Sequence, residues 1–284
     1  MTHPTHGQNR EEHQGAATEV TTTAVSAEEL AADRLAEAER SGTPCRPVRE
    51  ILTGNDLATG YRVQSILTAR SVAAGRRPIG RKIGLTSIAV QQQLGVATPD
   101  IGVLYSDMAI RDGGTVPFGR LLQPRVEAEV AFMLAADLEG DVTLERARAA
   151  IGWAAPAIEI VDSRIASWDI SLVDTVADNA SSGLYVLGSP TTDPAGFDFA
   201  AVTMTLVDNA GTVFSAGTGA DCLGDPVNAL LWLARAAQDL ESPLRRGEIV
   251  LSGALGPMVG ATPGSRFEAR LSRLGSVAVG FEEA

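Results

Sequence analysis

Histidine is almost missing from this chain. His3, His6 and His13 are the whole complement, and all fall in the first thirteen residues. That segment is polar and aperiodic, so residues 1–24 read as a disordered tail. The body behind it has no imidazole to serve as base, acid or metal ligand. Lysine is scarcer still, with one residue, Lys82, against twenty-two arginines. A coding bias that replaced surface lysine by arginine accounts for the ratio, and chance survival for the exception. The competing account is that position 82 needs a compact ammonium, or a proton that can leave, and arginine supplies neither. Cys45 and Cys222 are the only cysteines. Their spacing fits no metal or redox motif, and they read as reduced packing residues of a cytoplasmic protein. No apolar run approaches the roughly 18 residues of a membrane span, and the N-terminus lacks the apolar centre of a secretory signal. Basic excess is absent as well. A net charge of −12 and a pI near 4.7 argue against nucleic acid or an anionic membrane as partner.

What is present begins with 45% apolar residues over 284 positions, enough for a real core in one large or two small domains. The segment Gln123-Pro124-Arg125-Val126-Glu127-Ala128-Glu129-Val130-Ala131-Phe132 has the composition of a β-strand. Residues i and i+2 of a strand share a face, so Glu127 and Glu129 stand side by side, roughly 6.5–7 Å apart at Cα. Two like charges on one face repel and resist desolvation, and a cation between them relieves both. The bland alternative is the solvated edge of an amphipathic strand, with Val126, Ala128 and Val130 facing the core. Glu159, alone between Ile158 and Ile160 in a second apolar run, favours the first reading, because a lone carboxylate in a buried strand needs a partner or a metal. Three carboxylates make a hard-oxygen site suited to Mg²⁺ or Mn²⁺. Zinc would more usually recruit His or Cys.

Taken in order, Ser26-Ala27-Glu28-Glu29 is a capping box opening a helix to about Arg40. Asp56 caps a second helix running toward Ala74. Residues 79–85 read as a strand whose glycines permit close approach, and Ser87 to Leu94 as a short helix. Asp100 follows Pro99 and reads as a turn residue. Leu144 to Trp153 reads as helical, and residues 174–183 as a polar, Gly-terminated loop of the kind that lines pockets. Val202 to Val207 and Thr212 to Ser215 form a hairpin. Asp225-Pro226 opens a helix to about Leu240. Glu248 to Ser252 is a strand followed by a tight loop at 253–257, and a closing hairpin turns at Gly275. The pattern is α+β with mainly antiparallel strands.

Gly80-Arg81-Lys82-Ile83-Gly84-Leu85-Thr86, Gln91 to Val96, Pro99-Asp100, Gln123 to Glu129, Val173 to Ser181 and Ser252 to Pro257 together resemble the 2-keto-4-pentenoate hydratases, in the hydratase/decarboxylase branch of the fumarylacetoacetate hydrolase superfamily. The resemblance runs from about residue 28 to the C-terminus. It implies a fumarylacetoacetate hydrolase-like mixed β-roll over 119–284 and a smaller α/β part, with its helices, over 25–118. It implies Mg²⁺ or Mn²⁺ held by Glu127, Glu129 and Glu159, and Lys82 and Asp100 in the pocket, which reverses the turn reading of Asp100. The activity implied is addition of water at C4 of a 2-hydroxydienoic acid. Lys82 is assigned to stabilising developing negative charge and shuttling a proton, and Asp100 to general acid/base work. Asn179, Ser181, Gly253 and Ala254 are substrate contacts on this reading. A homo-oligomer and a downstream aldolase are the implied protein partners. The sister activity, decarboxylation of 2-oxo-3-hexenedioate, stays open. A C–C hydrolase ranks lower because the body has no histidine to activate water, and a non-catalytic scaffold holding a structural cation is the alternative from another class.

Overall fold

The computed structural model describes residues 1–2, 25–54, 56–87, 91, 98–190, 194 and 196–283. Most of the expected tail, its histidines, and nearly all of the short helix expected over Ser87 to Leu94 lie outside the described residues. Thirteen strands are seen among the described residues: β1 Pro78–Gly84, β2 Asp100–Tyr105, β3 Ala109–Ile110, β4 Thr115–Val116, β5 Arg125–Leu134, β6 Ile151–Val161, β7 Ser182–Leu187, β8 Thr203–Val207, β9 Val213–Thr218, β10 Ile249–Ala254, β11 Val259–Gly260, β12 Arg266–Leu271 and β13 Gly275–Phe281. Helices α1 Ala27–Ser41, α2 Leu57–Ala73, α3 Leu144–Ala149, α4 Leu172–Ala177 and α5 Pro226–Asp239 accompany them.

Two sheets form the body. The larger is ordered β2-β1-β10-β5-β6-β7-β3, with β11 added beside β5, and the smaller β4-β13-β12-β8-β9. Most pairs are antiparallel, as the sequence suggests, but β1/β10, β3/β7 and β4/β13 are parallel. The second sheet packs on the first through β12 and β13 against β6. Between and around them lies the main core, in which Phe132 of β5 meets Phe199 edge-on at 5.1 Å between centroids. A smaller core of Ala31, Ala32, Leu35, Val48, Val63, Ile165 and Ala177 joins α1 and α2 to the body.

The helix signals act as their chemistry requires. Ser26 and Glu29 make a reciprocal capping box on α1, Asp56 caps α2 through Thr59 N, and Asp225 caps α5 with Pro226 at its first position. The helix expected to run to Trp153 ends at Ala149. Ile151, Gly152 and Trp153 instead begin β6, where Trp153 pairs with Met133 of β5. Cross-strand pairing of β-branched and aromatic residues outweighs a helical continuation there. The expected loop over 174–183 is α4, one turn of 3-10 helix and the start of β7, and most of it is buried. No helix among the described residues is long and apolar enough to cross a membrane.

Candidate active site

Register brings the acidic residues together. Glu127 of β5 lies directly opposite Glu159 of β6, and Glu129 is two positions further along the same face. One carboxylate oxygen from each lies within 4.8 Å of the other two. The solvated-edge reading has Val126, Ala128 and Val130 buried, as they are, but fails on the other face, because β5 runs between β10 and β6 and Glu129 is buried as well. Lys82 comes from β1, three strands away from β6 in the sheet order. A flat sheet would put those strands roughly 14 Å apart, yet Lys82 Nζ stands 3.3 Å from Glu159 Oε1. The sheet therefore curls, and both side chains extend into its concave face. Gly84 permits the approach of Asp100, its partner in register across β1 and β2, since a Cβ there would overlap Asp100 Oδ1.

The electrostatics of this cluster are unbalanced. Glu129, Glu159, Asp100 and Lys82 are all at most 3% exposed, so four carboxylates with Glu127 face one ammonium. Burial, then Glu159, push the Glu127 carboxyl up to about 7. Burial raises Glu129 as well, with Glu159 and Glu127 adding to it. It also raises Glu159 and Asp100, against the pull of Lys82. For Lys82 itself burial acts downward, but Glu159, Asp100 and Glu127 outweigh it and hold the ammonium above its ordinary range. Glu129 Oε1 and Glu159 Oε2 have no hydrogen-bond partner although both are buried. Orphaned anionic oxygens converging on one point are the donor set a divalent hard cation takes, so the residues fit Mg²⁺ or Mn²⁺.

Lys82, Asp100, Glu127 and Ser181 line one cavity of about 140 Å³, whose remaining wall is largely apolar: Leu85, Val161, Trp168, Ile170, Leu172, Ala180 and Met258. The other three expected substrate contacts, Asn179, Gly253 and Ala254, are not part of that lining. Gly253 and Ala254 are the end of β10 rather than a loop. Gly253 holds φ 106°, where a side chain would also overlap Thr86, and its N–H donates to Glu129 Oε2 at 2.7 Å. It positions a carboxylate. Asn179 spends its amide on β2, accepting from Val103 N at 2.7 Å and donating to Val103 O at 3.0 Å. It lines a different cavity of about 310 Å³, which contains neither Lys82 nor the three glutamates. Two residues that sequence reasoning did not single out belong to the site. Thr175 Oγ1 donates to Asp100 Oδ2 at 3.5 Å and lies 3.4 Å from Ser181 Oγ. The Tyr61 hydroxyl accepts from Ile101 N at 3.1 Å, fixing β2 beside Asp100. Thr175 sits inside the quoted run 173–181 and could have been drawn from it; Tyr61 carries no such signal.

No family model matches the sequence. Comparison with known proteins does find relatives along nearly the full length. The 2-keto-4-pentenoate hydratase of Paraburkholderia xenovorans is 50% identical over 255 residues, which cover 89% of this chain and 94% of that protein. The chain belongs to the 2-keto-4-pentenoate hydratase family. Among solved structures, 4-oxalocrotonate decarboxylase from Pseudomonas putida G7, complexed with magnesium and adipate, is similar to this member of the hydratase family at a TM-score of 0.85 and 30% identity, covering 89% of this chain and 96% of that one. Fumarylacetoacetate hydrolase from Exiguobacterium antarcticum, 15% identical with a TM-score of 0.59, shares the fold alone.

Proposed function

We propose that this chain is a divalent-metal-dependent hydro-lyase that adds water to 2-hydroxypenta-2,4-dienoate, giving 4-hydroxy-2-oxopentanoate in the breakdown of aromatic compounds. The observation that carries the reading is half-identity across nearly the whole chain with a 2-keto-4-pentenoate hydratase, against 30% with the decarboxylase. Glu127, Glu129 and Glu159 would hold Mg²⁺ or Mn²⁺, which when bound supplies a Lewis acid and a template for the substrate's oxygens. Lys82, held 3.3 Å from Glu159 Oε1, places a positive charge beside developing negative charge and is the residue assigned to shuttling a proton there. Asp100, raised by burial and held by Thr175, is the group suited to give and take a proton. Ser181 and Thr175 offer hydroxyls to the polar end of the substrate, and the apolar wall limits where water can stand. A cytoplasmic homo-oligomer that passes its product to an aldolase completes this reading, and sedimentation of the protein with and without that aldolase tests the assembly.

The functional test is turnover of 2-hydroxypenta-2,4-dienoate beside 2-oxo-3-hexenedioate, with magnesium and after exhaustive chelation. Metal-dependent loss of the dienoate chromophore without release of carbon dioxide from the enedioate is expected. Full activity after chelation, or preferential decarboxylation, overturns the assignment.

A further inference from the structure

Ser167 and Trp168 both adopt left-handed backbone, at φ 60° and 55°. Such conformations are costly for residues with a Cβ and persist where neighbours over-determine them. The neighbour is Gln123. Its Nε2 donates to Ser163 O at 2.9 Å and Ile165 O at 2.8 Å, and its Oε1 accepts from Ser167 N at 2.7 Å. Its main-chain carbonyl accepts from Trp168 Nε1 at 3.1 Å. Arg125 lies over the indole face, with Cζ 4.4 Å from the ring centre. The indole is thus gripped on its edge and its face.

Strand register fixes where this ring sits in the cavity. Arg125 and Glu127 share one face of β5, and their partners on β6 are Val161 and Glu159. One same-face step, roughly 7 Å along each strand, therefore leads from the carboxylates to Arg125 and Val161, where the indole is stacked. The lining there is Val161, Trp168, Ile170, Leu172 and Met258, together with Ser171, whose hydroxyl is already donated to Asp174 Oδ2 at 2.7 Å. The guanidinium of Arg125 is not part of that lining; it lies over the ring, with Nη1 3.6 Å from Met258 Sδ.

We propose that Trp168, clamped by Gln123 and Arg125, is the wall that sets specificity at the distal end of the substrate. It admits hydrogen or a short alkyl group, blocks longer chains because the ring cannot swing aside, and rejects a second carboxylate because that group would be desolvated without a partner. Gln123 is the positioning residue. The inference rests on the hydratase reading for which end of the substrate faces the glutamates.

The test uses full-length, magnesium-loaded protein as wild type, Trp168→Ala, Trp168→Phe and Gln123→Ala, with Trp168→Leu replacing the alanine variant if that fails to fold. Turnover is measured on 2-hydroxypenta-2,4-dienoate and 2-hydroxyocta-2,4-dienoate. Binding of 2-oxopentanoate, 2-oxooctanoate and 2-oxoadipate is measured by calorimetry. Trp168→Ala should raise the long-to-short ratio of kcat/KM by roughly tenfold or more, chiefly through KM. Gln123→Ala should shift the ratio in the same direction by less, and Trp168→Phe should keep the wild-type ranking. Wild type should bind 2-oxoadipate at least about tenfold more weakly than 2-oxopentanoate. An equal loss on both dienoates in Trp168→Ala, or equal binding of 2-oxoadipate, overturns the wall. Wild type that hydrates neither dienoate, while Trp168→Ala still gains affinity for 2-oxooctanoate, overturns the hydratase reading and leaves the wall standing.

Discussion

Lys82 shows how little of a residue's role is its charge. It is enclosed by Glu159, Asp100 and the other glutamates, and a Cβ at Gly102 would come within 2.9 Å of its Cγ. A planar guanidinium carries the same charge into a space shaped for a compact head. Lys82→Arg is expected to fold and bind magnesium but to lose roughly 10²–10⁴-fold in kcat, the scale for a positioned electrostatic group. Steady-state kinetics beside a calorimetric magnesium titration would check both halves, and wild-type turnover would remove Lys82 from the mechanism. Glu127→Gln and Glu159→Gln each delete a charged oxygen from the proposed metal set. Both should abolish measurable magnesium binding along with activity. Activity lost while magnesium affinity is unchanged would show that these glutamates are not the ligands. The lysine and the carboxylates were legible in the sequence because each is anomalous there: a lone lysine among arginines, and acids inside apolar strands. Asp100 was not anomalous. After proline an aspartate has an ordinary explanation, and only resemblance placed it in the pocket.

At the scale of elements, α4 and the start of β7 explain why a polar run can be buried. Asp174 accepts from Ser171 N at 2.9 Å and from Arg49 N at 2.9 Å. Asp178 pairs with Arg164, whose Nη1 also donates to Ser182 O at 2.8 Å. Asn179 brackets Val103. Every polar side chain in the run has a partner, and several of those partners are remote in sequence. A reading of local composition sees the polarity and assigns a surface loop. The burial depends on pairings it cannot see. Arg164→Ala strands Asp178 in the interior and should cost about 3–5 kcal/mol of stability. Urea unfolding would measure it, and a change below about 0.5 kcal/mol would mean that the pair is solvated. Where one segment carries its own signal, as with the capping box of α1 or the Asp225-Pro226 start of α5, the boundaries were read to within a residue or two. The start of β6 was misread because its partner strand, not its own composition, decides it.

For the whole molecule, the acidic centre links stability to pH and to metal. Glu127, Glu129, Glu159 and Asp100 all have folded-state values above their ordinary ones. The stability they contribute is complete below their unfolded values and is lost as pH rises through the folded ones, about 7 for Glu127. Chelated protein should therefore show a Tm that falls between about pH 5 and 8. Magnesium binds the deprotonated set, so its stabilisation should grow over the same range, reaching about 2.7 kcal/mol at a hundred times Kd. Scanning calorimetry with and without chelator would check this, and a chelated protein whose Tm rises across that window would contradict it. Net charge and apolar content set the class of molecule in advance, and strand order was beyond them. The decisive neighbours β1 and β10 pair with Gly80 opposite Ile249, about 170 residues apart.

That pairing also sets a schedule. The strand that carries Lys82 leaves the ribosome early, but the strand on which it must lie in parallel is made about 170 residues later. At roughly 5–20 residues per second the interval is on the order of 10–30 s. During it the ammonium, with Asp100 on the neighbouring β2, and the three glutamates meant to complete its surroundings belong to different, unjoined pieces of chain. A nascent chain stopped before β10 should therefore bind no magnesium at the glutamates, and capture of the ion should arrive once β10 has joined β1 to β5.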